Sequence, residues 1–332
     1  RALRWLRMTG GTPSPLQPSL TKRSTSIPYA MRPPAVVADL DGDRDLDLLI
    51  GQGRMLLRRE NGVFTTARAF NPDLAESTIA RVSHPVGTNV MALGLGMLRP
   101  DGDGVATLVR HAAYPAVDAT FLPQPRGRMV ACDGQTLSYS LPPYDTWTQF
   151  GLHDVHAVAA DPAQRRVIAS TSDFPGGITV LVDDSLFAFT LIVDDFVSNS
   201  IPAPRLPSGG YEGVVVADLD ADGRNDIVHR LRWLRGAADG TFLDAGDLLP
   251  ATPNGIRDIA PIDFDGDGDL DLYVARAGMD ILLELRGSSF VEVTVGRVPP
   301  ESNDCAGVSA GDIDGDGDAD LLLAPTAGGT PR

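Results

Sequence analysis

The stretch Asp263-Phe264-Asp265-Gly266-Asp267-Gly268-Asp269-Leu270-Asp271 stands between two apolar runs, Ile259-Ala260-Pro261-Ile262 and Leu272-Tyr273-Val274-Ala275. Carboxylates recur at every second position, and glycines at the fourth and sixth allow the sharp backbone turns that let the side chains converge. Such an oxygen cage suits a hard cation, and calcium takes six to eight oxygens at about 2.3–2.6 Å. An EF-hand loop begins the same way but needs a Glu at position 12 and helical flanks. Position 12 here is Val274, and both flanks read as short β-strands. The stretch is therefore a strand–acidic loop–strand unit.

The unit recurs. Asp312, Asp314, Asp316, Asp318 and Asp320 repeat the pattern with the same spacing. Asp218, Asp220, Asp222 and Asp226 form another copy, with Arg224 at the seventh position, and Asp39, Asp41, Asp43, Asp45 and Asp47 another. These positions are the candidate metal-binding set, with about four Ca2+ ions expected. In these residues the chain resembles the FG-GAP/VCBS repeat family, whose pattern DxDxDGxxD joins the first two strands of a propeller blade. The resemblance implies an all-β propeller and structural calcium. It also implies a secreted or cell-surface adhesion module, with the ligand on the face away from the metal loops.

Composition fits a repeat protein of this kind. Across 332 residues, 43% hydrophobic content is enough for a core, and 35 Gly with 26 Pro suit a chain rich in turns. The nineteen aspartates of the four loops more than account for the net charge of −16. The rest of the chain is close to neutral, without the basic stripe that nucleic acid would require. No apolar run reaches the length of a membrane-spanning helix.

Two further units are worn. Arg99-Pro-Asp101-Gly-Asp103-Gly-Val-Ala-Thr107 has lost the first and ninth carboxylates, and its hairpin signal is Cys132-Asp133-Gly134. Val158-Ala-Ala160-Asp161 aligns with Val216-Ala217-Asp218, but the span to Arg166 is too short for a cage. At the N-terminus, Leu3-Arg-Trp5-Leu-Arg7 matches Leu231-Arg-Trp233-Leu-Arg235, an outer-strand element without an inner half. Residues 1–12 are therefore expected to complete the blade of 307–332, with the Pro-rich stretch 13–34 as a connector. The whole of 1–332 reads as one propeller, with six blades expected and seven the alternative. Closing the ring would leave no sheet edge unpaired.

Other motifs carry little. Gly307-Val-Ser309-Ala-Gly311 matches a nucleophile elbow, but the sequence places it in a strand leading into an acidic loop rather than at a strand-to-helix turn. His153 and His156 are expected to point to opposite faces of a strand. Cys132 and Cys305 allow one disulfide or two buried thiols. The expected function is a non-catalytic, monomeric extracellular module for a protein or carbohydrate ligand, exported by a segment upstream of Arg1. A propeller-type polysaccharide lyase or hydrolase is the alternative, as is a scaffold fragment of a larger secreted protein. Clustering of Tyr114, Tyr139, Tyr144, Trp147 and His153 in one cleft would favour the enzyme, whereas the only lysine, Lys22, lies in the connector.

Overall fold

The computed structural model describes residues 4–9, 12–15, 36–38, 47–50, 55–60, 63–69, 91–93, 96–100, 106–110, 118–122, 128–141, 147–171, 177–183, 189–192, 213–229, 231–249, 255–298, 305–312 and 316–325. All regular structure among them is β-strand. The chain opens with β1 (Arg4–Thr9) and β2 (Thr12–Pro15), and successive antiparallel meanders follow. The first comprises β3 (Val36–Ala38), β4 (Asp47–Ile50), β5 (Met55–Glu60) and β6 (Val63–Ala69). The second has three strands, β7 (Met91–Leu93), β8 (Gly96–Pro100) and β9 (Ala106–Arg110). Then come β10 (Asp118–Leu122), β11 (Arg128–Cys132), β12 (Thr136–Ser140) and β13 (Thr148–His153). The next sheet is β14 (Val155–Asp161), β15 (Arg166–Thr171), β16 (Gly177–Asp183) and β17 (Phe189–Ile192). After it come β18 (Val214–Ala217), β19 (Asp226–His229), β20 (Arg232–Gly236) and β21 (Phe242–Asp247). The last complete meander is β22 (Ile256–Ile262), β23 (Asp271–Arg276), β24 (Ile281–Arg286) and β25 (Ser289–Glu292).

The final strands, β26 (Cys305–Gly311) and β27 (Asp320–Pro325), share a sheet with the first two in the order β26-β27-β1-β2. Trp5 stands opposite Leu322, two residues past Asp320. Trp233 likewise stands opposite Val228, two residues past Asp226. The register of β1 on β27 is thus that of β20 on β19. Strand β2 runs to Pro15, three residues into the stretch read as connector. Its prolines lie on an edge strand, where a missing N–H costs no ladder bond.

The packing follows from the two-residue period of a strand. Along β23, Leu272 and Val274 join a core with Val215, Val228 and Trp233 of the preceding sheet. Tyr273 and Ala275 face the other way and join Val308, Leu321 and Leu323 of the following one. A strand covered on both faces has no polar alternation, and Asp271 through Ala275 are all buried. The outer strand β25 is largely exposed. First strands of consecutive sheets also pack side by side: β10 with β14, β14 with β18, β18 with β22, β22 with β26, and β26 with β3. The arrangement is propeller-like.

The described residues form seven sheets, where the sequence signals pair into six units. The difference falls between residues 91 and 153. The Arg99–Thr107 loop joins β8 to β9, whereas the Asp133-Gly134 turn joins β11 to β12 in a separate sheet. The β10–β11 connection, residues 123–127, has no acidic loop, so that sheet has no first-turn signature of its own. His153 and His156 fall in different strands, β13 and β14, rather than on one. Ser309 is within β26, and Cys132 and Cys305 are buried thiols that form no disulfide. Tyr114 and Tyr144 lie outside the described residues.

Candidate metal centres

Each described acidic loop joins the first strand of its sheet to the second, and its first aspartate organises it. Asp218 accepts Asp222 N–H on Oδ1 at 3.0 Å and Gly223 N–H on Oδ2 at 2.9 Å. Asp263 accepts Gly266 N–H at 2.8 Å and Gly268 N–H at 3.2 Å. Asp312 accepts Asp316 N–H at 3.1 Å and Gly317 N–H at 3.0 Å. The fifth-position carboxylate then accepts the N–H two residues on: Asp222 from Arg224, Asp267 from Asp269, and Asp316 from Asp318. These turns require left-handed backbone. Gly266 and Gly268 have φ of 78° and 96°, while Ala221 adopts 54° where the other loop has glycine, at some steric cost.

The result is convergence. One carboxylate oxygen each from Asp218, Asp220 and Asp222 lies within 4.8 Å of the others, as does one each from Asp263, Asp265 and Asp267. Oδ1 of Asp220, Asp265 and Asp269 is buried without a hydrogen-bond partner. Buried oxygens of this kind are costly unless something meets them. Burial, then the charges of Asp267, Asp265 and Asp263, push the Asp269 carboxyl up to about 6. Asp265 is raised for the same reasons, burial first and the Asp267 charge next. A hard, oxygen-seeking dication suits this donor set, with Asp263, Asp265, Asp267 and Asp269 as its holders in one loop and Asp218, Asp220 and Asp222 in the other.

The ninth-position carboxylates have a different environment. Asp271 is 1% exposed and accepts Leu285 N–H at 2.8 Å and Phe264 N–H at 3.0 Å. Asp226 accepts Gly236 N–H at 2.7 Å and the Trp233 indole N–H at 2.9 Å. Asp226 thus fastens the second strand to the third through both oxygens, whereas Asp271 reaches the third strand through Oδ1 and ties back to its own loop through Oδ2. Burial outweighs these bonds, raising Asp271 to about 7 and Asp226 to about 6. Gly236 has its own reason to be glycine, because a Cβ there would lie 2.5 Å from Asn225 O.

Two residues with a bearing on the charge balance are not evident from the loop motif. Arg235, on β20, pairs with Asp220, and Glu284 occupies the corresponding place on β24, one residue before the N–H that meets the ninth carboxylate. Glu284 is held by Arg286 at 2.5 Å and Arg297 at 3.3 Å. Arg224, included with the metal set on position alone, directs its guanidinium to Asp222 and to Gly236 O at 2.9 Å. A guanidinium has no acceptor to offer a metal. Asp320 is buried, as Asp226 and Asp271 are. Asp39, Asp41, Asp43, Asp45 and Asp314 lie outside the described residues, and Asp47 is described only as the first residue of β4.

Repeated antiparallel sheets with an acidic turn after the first strand define a propeller-like repeat protein. Residues 229–274 and 263–323 match the FG-GAP-like repeat model, so the chain carries FG-GAP-like repeats over this stretch. No curated protein sequence matches the chain. Among solved structures, it is similar to a GH74 enzyme of Niastella koreensis (13% identity, TM-score 0.56), covering 88% of this chain and 43% of that one. It is also similar to the extracellular domain of a protein assigned to a one-component system of B. thetaiotaomicron (11% identity, TM-score 0.51), covering 88% and 37%. The chain thus spans less than half the length of either structure, and at these identities the likeness concerns the fold.

Proposed function

We propose that the protein is a non-catalytic, calcium-stabilised propeller module that acts outside the cell and presents a protein- or carbohydrate-binding face. The carrying observation is the convergence of three carboxylates in each of two loops, together with buried, partnerless oxygens on Asp220, Asp265 and Asp269. Carboxylates about 4 Å apart repel by roughly 1 kcal/mol in water and roughly 4 kcal/mol at an effective dielectric of 20. A bound dication converts that repulsion into attraction and ties the first strand of a sheet to its second. The ring is read as seven blades, with β1 and β2 supplying the outer half of the blade begun by β26 and β27. An extracellular setting is supported by the match to FG-GAP-like repeats and by the likeness to an extracellular domain. It also suits calcium modules that bind at about 10⁻⁴–10⁻³ M.

Thermal melting in EDTA and in millimolar calcium tests the metal. A site at 100 times its Kd contributes about 2.7 kcal/mol, so the calcium form should melt several degrees higher. Coincident curves would overturn the reading. A glycan array and a pull-down, both in calcium, should return a ligand. Turnover of a polysaccharide by the purified protein would instead make it an enzyme.

A further inference from the structure

We propose that the Asp218 loop is an arginine-latched cation site that fills with calcium only well above the concentrations that load the Asp263 loop. The inference rests on the calcium reading above and concerns how two otherwise similar loops differ. In the Asp218 loop the guanidinium of Arg235 lies on Asp220 and that of Arg224 on Asp222. Arg224 is anchored a second time through Nε to Gly236 O at 2.9 Å, so it is tied to β20 as well as to the loop. Arg235 also stacks over Trp233, 5.2 Å from the ring centroid. Two of the three converging carboxylates thus already have a tethered cation. The Asp220 side chain is only 6% exposed, and its Oδ1 still has no hydrogen-bond partner, so the latch leaves a buried acceptor within the cluster.

The Asp263 loop has no such latch. Among the described residues no ion pair reaches Asp263, Asp265, Asp267 or Asp269. The seventh position there is Asp269 instead of Arg224, and the place of Arg235 is taken by Glu284. The Asp263 loop therefore presents more negative charge and must displace nothing. Calcium entering the Asp218 loop must compete with two guanidinium groups, each tethered at high local concentration. Exposed and half-buried ion pairs are individually weak, but two together are enough to shift an affinity by roughly tenfold.

Calcium titration of the full chain by isothermal calorimetry tests the latch. Asp267→Asn should remove a tight site, and Asp222→Asn a site roughly tenfold weaker. Arg235→Gln should tighten the weak site by roughly threefold, its share of the two-arginine effect. Arg224→Asp, which restores the seventh-position carboxylate, should tighten it in the same direction while acting from within the loop rather than from β20. Equal affinities for the sites lost in Asp222→Asn and Asp267→Asn would overturn the latch. So would weak-site affinities left unchanged by both arginine variants. Absence of calcium uptake by the wild-type chain would instead overturn the calcium reading itself, and the latch with it.

Discussion

Arg166→Ala tests whether a tethered cation does in one sheet what a metal is proposed to do in others. Asp161 ends β14 and aligns with Asp218, but only a four-residue turn follows it, without room for a cage. Its carboxylate is fully buried and accepts Arg166 Nε–H at 3.0 Å and Nη2–H at 2.6 Å, together with Asn225 Nδ2–H at 2.9 Å from the next sheet's acidic loop. The third guanidinium nitrogen donates to Gly240 O at 2.7 Å, and the group lies 4.8 Å from the centroid of Phe242. Truncation leaves Asp161 buried with only two neutral donors, the Asn225 amide and Gln164 N–H at 3.3 Å. Breaking a buried pair by removing one partner costs about 3–5 kcal/mol. The loss of stacking on Phe242 places the expectation toward the upper end.

The assay is equilibrium urea denaturation, in EDTA and again in saturating calcium. The loss should be the same in both, because neither side chain belongs to an acidic cage. In a double-mutant cycle with Asp161→Leu, using Arg166→Met, the pair should cost less than the sum of the single changes, by about 0.5–3 kcal/mol. A loss below about 1 kcal/mol for Arg166→Ala, set against the 3–5 kcal/mol expected of a broken buried pair, would refute the reasoning. So would a loss that disappears when calcium is added.

Asp267→Asn should behave oppositely: stability in EDTA unchanged or higher as one repelling charge is removed, and calcium stabilisation reduced by up to about 2.7 kcal/mol at 100 times Kd, both read by thermal melting. Asp280 is fully buried, accepts Tyr273 O–H and Arg276 N–H at 3.0 Å each, and has its pKa raised chiefly by burial. A raised carboxyl contributes stability when protonated and loses it as pH climbs through the folded-state pKa, so Asp280→Asn should gain on the wild type as pH rises upward from the ordinary aspartate range in denaturation curves. A pH-independent difference would contradict that sign. Deleting residues 1–15 removes β1 and β2 and uncovers the β27 edge, which should promote aggregation measurable by light scattering. A truncated chain that stays monomeric with unchanged melting would exclude that role for the terminal strands.

The sequence made the repeating elements plain because their signals are local. The Asp-rich turn after a first strand, as at Asp263, and the Asp133-Gly134 hairpin each announce themselves within a few residues. The likeness of Trp5 to Trp233 was also legible, and β1 meets β27 in the register that β20 takes on β19. The separate β7–β9 sheet was not. Its neighbour begins with β10 and β11, whose 123–127 connection carries no acidic signature, so two sheets read as the single Arg99 unit. Within the loops, spacing indicated which carboxylates could converge but not where each oxygen goes. The ninth carboxylate looks like any other in a string of aspartates, yet its direction is set by N–H groups ten to fourteen residues away, on Gly236 and Leu285.

What the loop motif hides most completely is the source of positive charge. A carboxylate at the end of a first strand must be met by a cation or lose its ionisation, and the strand order fixes its position before the cation is chosen. At Asp161 the choice is a guanidinium five residues along the same chain, which binds whatever the solution contains. Among the described residues no arginine forms an ion pair with the Asp263 loop, for which the proposed counter-charge is an ion from solution. Asp218 lies between these, because Arg224 comes from within the loop while Arg235 comes from the third strand and is visible only once β19 and β20 are paired. Calcium dependence in this chain should therefore be graded from sheet to sheet, and the gradient is set by arginine placement rather than by the number of aspartates.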